Sequence, residues 1–210
     1  MPAATALVVE TPGGPAGVHL HALDRPRAAL LLGHGAGGGV EAPDLVTARD
    51  VALEEQVAVA LVEQPYRVAG RRSPPSVARL DADWSAVVER LREDELSGLP
   101  LVAGGRSLGA RVACRTSGEL GAAAVLCLAF PLRPPQHRSG KPAASRLGEL
   151  DAVKVPTLVV QGASDPFGVP PPGPLRTVVE VPGTHSLRTG LGPISDAVRT
   201  WLSDVIETAG

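Results

Sequence analysis

Three side chains in this sequence have the types and the surroundings of a relay that activates a hydroxyl: Ser107, Asp165 and His185. Ser107 lies in Gly105-Arg106-Ser107-Leu108-Gly109, directly after the apolar run Leu101-Val102-Ala103 and at the opening of a helix-like segment. A serine on so tight a strand-to-helix turn is held clear of the backbone, and the glycines permit a turn that side chains would obstruct. A serine hydroxyl needs a base to take its proton, and the base needs an acid to orient it. His185, in Val181-Pro182-Gly183-Thr184-His185-Ser186, offers the imidazole, and Asp165, in Gln161-Gly162-Ala163-Ser164-Asp165-Pro166, the carboxylate.

Each residue also has a simpler reading. Serine is a favoured helix N-cap, and an aspartate before proline commonly starts a turn. His185 is less easily explained as a core histidine, because its loop lies away from any apolar face. Taken together, the three residues follow three separate strand-like runs, and the loops past the carboxyl ends of parallel strands are where open α/β sheets assemble their sites.

A hydroxyl attacking a carbonyl also needs donors for the oxyanion that forms. The loop Gly33-His34-Gly35-Ala36-Gly37-Gly38 would bring a backbone N–H near Ala36, and Leu108 a second from the first turn of its helix, at the positive end of the helix dipole. His34 is expected to order that loop by hydrogen bonding. Arg67, Arg71 and Arg72, and Arg106 beside the serine, are candidates for gripping a substrate carboxylate or phosphate, since a guanidinium fork matches such groups; Arg67 and Arg106 lead. Otherwise the 67–72 segment is a solvated loop. The glycine loop also fits G-x-G-x-x-G, with Glu63 at the end of the next strand. A nicotinamide-dinucleotide protein is therefore a rival reading, although that motif belongs after a first strand and two strand-like runs precede it here.

The elements that must position these residues alternate. Strand-like runs at 5–10, 18–23, 28–32, 57–62, 101–103, 125–130, 157–161 and 178–181 are interleaved with helical patterns, which implies a mostly parallel sheet with helices on both faces. The first two runs suit an antiparallel hairpin across the turn-rich linker 11–15. Residues 43–55 read as a helix. Val77, Leu80, Trp84, Val87, Val88 and Leu91 give an amphipathic helix, and Ile194, Val198, Leu202 and Val205 a C-terminal one with Trp201 beside its face. Residues 131–144 read as a surface loop. His19, His21 and His137 read as strand or surface residues.

The 210 residues, 44% hydrophobic and 20% charged, suit one soluble domain spanning residues 1–210. A net charge of −2 gives no electrostatic reason to expect nucleic acid or a membrane surface as partner. The longest nearly apolar run, residues 120–132, falls short of the ~18–20 residues that span a bilayer. The first residues lack the basic start of a secretory signal, so a cytoplasmic location is expected. Cys114 and Cys127 read as core thiols, with no metal-ligand or redox spacing. With aromatic residues at 2%, a substrate pocket is expected to be lined mainly by aliphatic side chains.

The chain resembles small α/β hydrolases without a cap domain. It is similar to dienelactone-hydrolase-like esterases, and more so to short bacterial proteins akin to a testis-expressed vertebrate hydrolase-like protein and to a subunit of a chromatin acetyltransferase complex. The likeness is carried by His34-Gly35-Ala36-Gly37-Gly38, Gln64-Pro65-Tyr66-Arg67, Gly105-Arg106-Ser107-Leu108-Gly109, Phe130-Pro131-Leu132, Gly162-Ala163-Ser164-Asp165-Pro166-Phe167 and Gly183-Thr184-His185-Ser186, and by the chain order Ser, Asp, His. It implies a Ser107–His185–Asp165 triad with Ala36 and Leu108 at the oxyanion hole, needing no cofactor and no metal. The chain departs from the pattern in one place. Asp165 and His185 are separated by a short stretch rich in proline, so the helix usual there is expected to be vestigial. The expected activity is hydrolysis of small to medium carboxylic esters or thioesters. The alternative within the same likeness is a hydrolase-like interaction module without turnover.

Overall fold

The computed structural model describes residues 4–133 and 144–209. The chain opens with a hairpin, β1 (Thr5–Thr11) and β2 (Gly14–His21), followed by β3 (Ala28–Gly33), α1 (Pro43–Glu54) and β4 (Val57–Glu63). A four-residue helix α2 (Pro65–Val68) and the long α3 (Val77–Glu93) lead to β5 (Leu101–Arg106), α4 (Leu108–Thr116) and β6 (Ala124–Leu128). The last third holds α5 (Leu147–Asp151), β7 (Thr157–Gly162), β8 (Arg176–Val181) and α6 (Leu191–Ala209).

All eight strands form one sheet in the order β1-β2-β4-β3-β5-β6-β7-β8. β2 pairs antiparallel with both β1 and β4, and every pairing from β4 onward is parallel. The central strands are buried on both faces, which is why they read as continuous apolar runs without alternation. Along β3, Leu30 and Leu32 join the core built with α1 and α6, while Ala29 and Leu31 join the core built with α3 and α4. Strand β3 lies between β4 and β5, so the chain leaves it in opposite directions on its two sides. The crevice at that reversal is where such sheets hold ligands, and the loop after β3 and the turn after β5 both open onto it.

The mostly parallel, two-faced sheet is as expected, and several boundaries differ. Thr11 pairs directly with Gly14, so the expected 11–15 linker shrinks to a two-residue turn and β2 begins earlier. The cause is remote in sequence. Asp83 on α3 accepts from the Gly13 N–H at 2.6 Å and from the Thr11 hydroxyl at 3.0 Å, tightening the hairpin from outside it. Helices α2 and α5 have too few residues to show a period. The core of the 131–144 loop, with His137, lies outside the described residues. Cys114 and Cys127 are buried thiols as expected, and their Sγ atoms lie 3.5 Å apart across the α4–β6 contact. No helix among the described residues is long and apolar enough to cross a membrane.

Candidate active site

The turn between β5 and α4 is built by close backbone approach. A Cβ on Gly109 would lie 2.2 Å from the carbonyl oxygen of Gly33, and one on Gly105 would lie 2.5 Å from the same oxygen. Only glycine at both positions lets the first turn of α4 press onto β3. Ser107 between them has φ 53° and ψ −104°, a conformation that costs a non-glycine residue on the order of 1–3 kcal/mol. Its N–H donates to Leu128 O at 2.9 Å, which ties the turn to the end of β6. The hydroxyl does not cap α4.

That hydroxyl lies 2.9 Å from Nε2 of His185 instead. On the other side of the ring, Nδ1 lies 2.8 Å from Oδ2 of Asp165. A carboxylate only accepts, so Nδ1 carries the proton and Nε2 is free to accept from the serine. The Asp165 side chain is fully buried and that of His185 is 19% exposed. Asp165 also forms the turn read from its sequence, Oδ1 accepting from the Phe167 N–H at 2.8 Å. The Phe167 ring lies 4.3 Å from that of His185, tilted against it.

Gln161, fully buried at the end of β7, adds a third donor to the acid: its Nε2 lies 2.6 Å from Asp165 Oδ2 and 3.1 Å from both Phe130 O and Gly168 O. Three acceptors around one nitrogen fix the carboxamide orientation. From β7 the chain reaches β8 through residues 163–175 without a helix, so the expected loss of that element is complete.

The loop after β3 is fixed by the side chains of His34 and Tyr66 and by backbone bonds. His34 Nδ1 is 2.8 Å from Gly35 O, and Nε2 accepts from the Gln64 N–H at 3.1 Å. One partner is a pure acceptor and the other a pure donor, so the ring is the neutral Nδ1–H tautomer; burial lowers its pKa, with the same result. The hydroxyl of Tyr66 on α2 donates to Ala36 O at 2.9 Å, and burial pushes its phenol up to about 12, keeping it a donor. Gly109 N–H donates to His34 O at 3.1 Å, and Gly38 N–H to Gly35 O at 3.1 Å. Ala36 is thus the second residue of a turn, whose N–H the turn itself does not use, and Leu108 is the first of a helix, whose N–H has no intrahelical acceptor.

The arginines separate. Arg106 reaches Asp44 and the His185 carbonyl and keeps a side-chain exposure of only 16%. Arg67 bends back to its own turn, Nη1 to Arg71 O at 3.3 Å, and Arg71 and Arg72 are exposed. Next to the serine turn lies a cavity of about 490 Å³, walled by Gly38, Gly39, Glu41, Arg106, Ser186 and Arg188 among others. Aliphatic walls were expected. Ala42 and Pro43 supply apolar surface there beside the glycines and the charged groups, and neither Ser107 nor His185 lines the cavity.

Residues 26–172, more than half of the chain, match a family described as an alpha/beta hydrolase domain. The chain belongs to the α/β-hydrolase family. Solved structures agree on the fold of this α/β hydrolase. A serine hydrolase without a lid from Xanthomonas campestris is similar at 21% identity and TM-score 0.71, covering 96% of this chain and 94% of its own. Est1E from Butyrivibrio proteoclasticus is 16% identical with TM-score 0.75, covering 96% and 99%. A dienelactone hydrolase from Anabaena variabilis is 17% identical with TM-score 0.74, covering 97% and 98%. No curated protein matches the chain.

The rival dinucleotide reading lacks its structural context in this α/β hydrolase. The glycine loop follows the third strand, and α1 begins only at Pro43, so the loop does not open a helix as that fingerprint requires. The structure brings Ser107, His185 and Asp165 together, with Ala36 in the loop after β3 and Leu108 at the start of α4. Sequence reasoning did not single out Gln161, Tyr66 or Asp44. The first two stand in or beside the motifs that carry the family likeness, whereas nothing local marks Asp44.

Proposed function

We propose that the chain is a serine hydrolase of carboxylic esters or thioesters, with Ser107 as nucleophile, His185 as base and Asp165 as the orienting acid. The observation that carries this reading is the continuous relay of 2.9 Å from Ser107 Oγ to His185 Nε2 and 2.8 Å from Nδ1 to Asp165 Oδ2.

His185 takes the hydroxyl proton as Oγ attacks the acyl carbonyl, and Asp165 holds the tautomer and stabilises the imidazolium. The N–H groups of Ala36 and Leu108 hold the oxyanion, a contribution that is worth about 3–4 kcal/mol per donor where one has been removed in other enzymes. The imidazolium gives its proton to the leaving alcohol or thiol as the tetrahedral intermediate collapses. A water, deprotonated by His185, then cleaves the acyl-enzyme and the cycle closes. The strain held at Ser107 is a feature that a merely structural serine would not need.

The test is a panel of chromogenic acyl esters of rising chain length, run beside Ser107→Ala. The reading expects turnover of small to medium esters and a loss of at least roughly 10³-fold in kcat for the variant. Equal rates from both proteins, or no turnover from either, would leave an α/β-hydrolase interaction module as the better description.

A further inference from the structure

Arg106 immediately precedes Ser107, and its guanidinium is committed to partners within the fold. Its Nε lies 3.0 Å from Oδ2 of Asp44 and its Nη2 donates to the carbonyl of His185 at 2.9 Å. The third corner of the fork fills the space under the oxyanion loop: a Cβ on Gly35 would lie 2.7 Å from Nη1. One guanidinium therefore touches the serine turn, the loop after β3 with the start of α1, and the loop after β8. A planar group with donors in fixed directions can do this, and a lysine ammonium cannot.

The loop it grips needs an outside hold. His185 follows β8, an edge strand with a neighbour on one side only. Two residues on, Leu187 is buried with φ 45°, a left-handed conformation that a leucine adopts at a cost. Within the loop, the Leu187 N–H donates to Thr184 O at 3.1 Å and closes a single turn. No helix follows β7 to brace the loop from the acid side. The bond from Arg106 to the His185 carbonyl is thus a direct tether between the residue bearing the base and the strand bearing the nucleophile.

Asp44 is an expensive partner. Its side chain is wholly buried, and burial pushes the carboxyl up to about 6 against the opposing pull of Arg106. The ion pair is close but off-line, so the Arg106 N–H does not point squarely at the oxygen. A fold selecting only for stability would gain from an apolar pair here.

We propose that Arg106 is a positioning residue, anchored on Asp44, that holds the His185 backbone so that the imidazole stays on Ser107. The inference rests on the reading of Ser107, His185 and Asp165 as the catalytic machinery. Arg106 moves no proton and touches no substrate. It determines how often the base is in register with the hydroxyl, so its removal acts on kcat and leaves KM in place.

The experiment compares the wild-type enzyme with Arg106→Met, Arg106→Lys, Arg106→Ala and the pair Asp44→Asn/Arg106→Met, the last leaving no unpaired buried carboxylate should the single Met variant not fold. The readouts are kcat and KM on a short chromogenic ester, rescue of Arg106→Ala by millimolar ethylguanidinium with urea as control, and the downfield proton resonance of the His185 Nδ1–H. Expected are a fall in kcat of roughly 10²-fold for both Met-bearing proteins, the scale of a ~1 Å misplacement, with KM little changed. Lysine should not restore the rate, ethylguanidinium should restore part of it, and the resonance should broaden or vanish. Unchanged kcat and resonance in the folded double variant would overturn the proposal. A loss that falls wholly on KM would also overturn it, by making Arg106 a substrate-binding group. The resonance is read without turnover, so an inactive wild-type protein that loses it on removal of Arg106 would refute the hydrolase reading and keep the tether.

Discussion

Gln161 Nε2 lies 2.6 Å from Asp165 Oδ2, the same oxygen that receives the His185 ring N–H at 2.8 Å. The acid is thereby held by a side chain from the end of its own strand, in a loop that has lost the helix usually beside it. Gln161→Leu removes that hold and strands the carbonyl of Gly168, while Phe130 O keeps the Leu132 N–H at 2.9 Å. Burying acceptors without partners costs about 1–3 kcal/mol, so the variant should unfold at lower urea concentration and turn over more slowly, with KM little affected. Urea titration beside steady-state kinetics checks this; an unchanged midpoint and rate would show that the bonds contribute nothing.

The packing of the serine turn predicts a sharp contrast between two glycines on either end of α4. A Cβ at Gly109 would sit 2.2 Å from Gly33 O, whereas a Cβ at Gly118 would meet nothing within 4 Å. Gly109→Ala should push α4 off β3 and abolish both folding yield and turnover. Gly118→Ala should stay within about 0.5 kcal/mol of wild type, as surface changes usually do. Soluble yield, thermal midpoint and ester turnover of the two variants decide the matter.

Asp44 gives the protein a pH dependence of definite sign. Its native carboxyl, raised to about 6, binds a proton more tightly than the unfolded one at 3.8. Between those values the native state carries more protons, so this group's contribution falls as pH rises, by on the order of 3 kcal/mol in all. Asp44→Asn cannot titrate. The stability of the variant minus that of wild type should therefore increase from pH 4 to pH 6 and level off above. Urea midpoints of both proteins across that range measure the difference, and a difference that shrinks with rising pH would refute the assignment.

The parts of the fold that were legible in the sequence are those that depend on local pattern. Buried parallel strands such as β3 and β4 are continuous apolar runs, and the 3.6-residue period of α3 survives because one face is Leu80, Trp84, Val87 and Leu91 while the other is charged. The three residues of the relay were legible for a related reason: each follows a strand, and parallel strands deliver their loops to one edge. What escaped depends on pairs distant along the chain. Asp83 closing the hairpin at Gly13 is separated from it by 70 positions, and the anchoring of Arg106 on Asp44 joins the end of β5 to the first turn of α1, which no spacing relates.

The central claim is that Ser107 is a nucleophile activated by His185. Treatment with an alkyl fluorophosphonate, followed by intact-mass measurement and peptide mapping, tests it whatever the natural substrate, since Oγ attacks phosphorus, fluoride leaves and the adduct stays. The account predicts one stoichiometric adduct, on Ser107, absent from Ser107→Ala and formed far more slowly by His185→Ala. A folded wild-type protein that takes up no phosphonate, or a label that persists in Ser107→Ala, would contradict it.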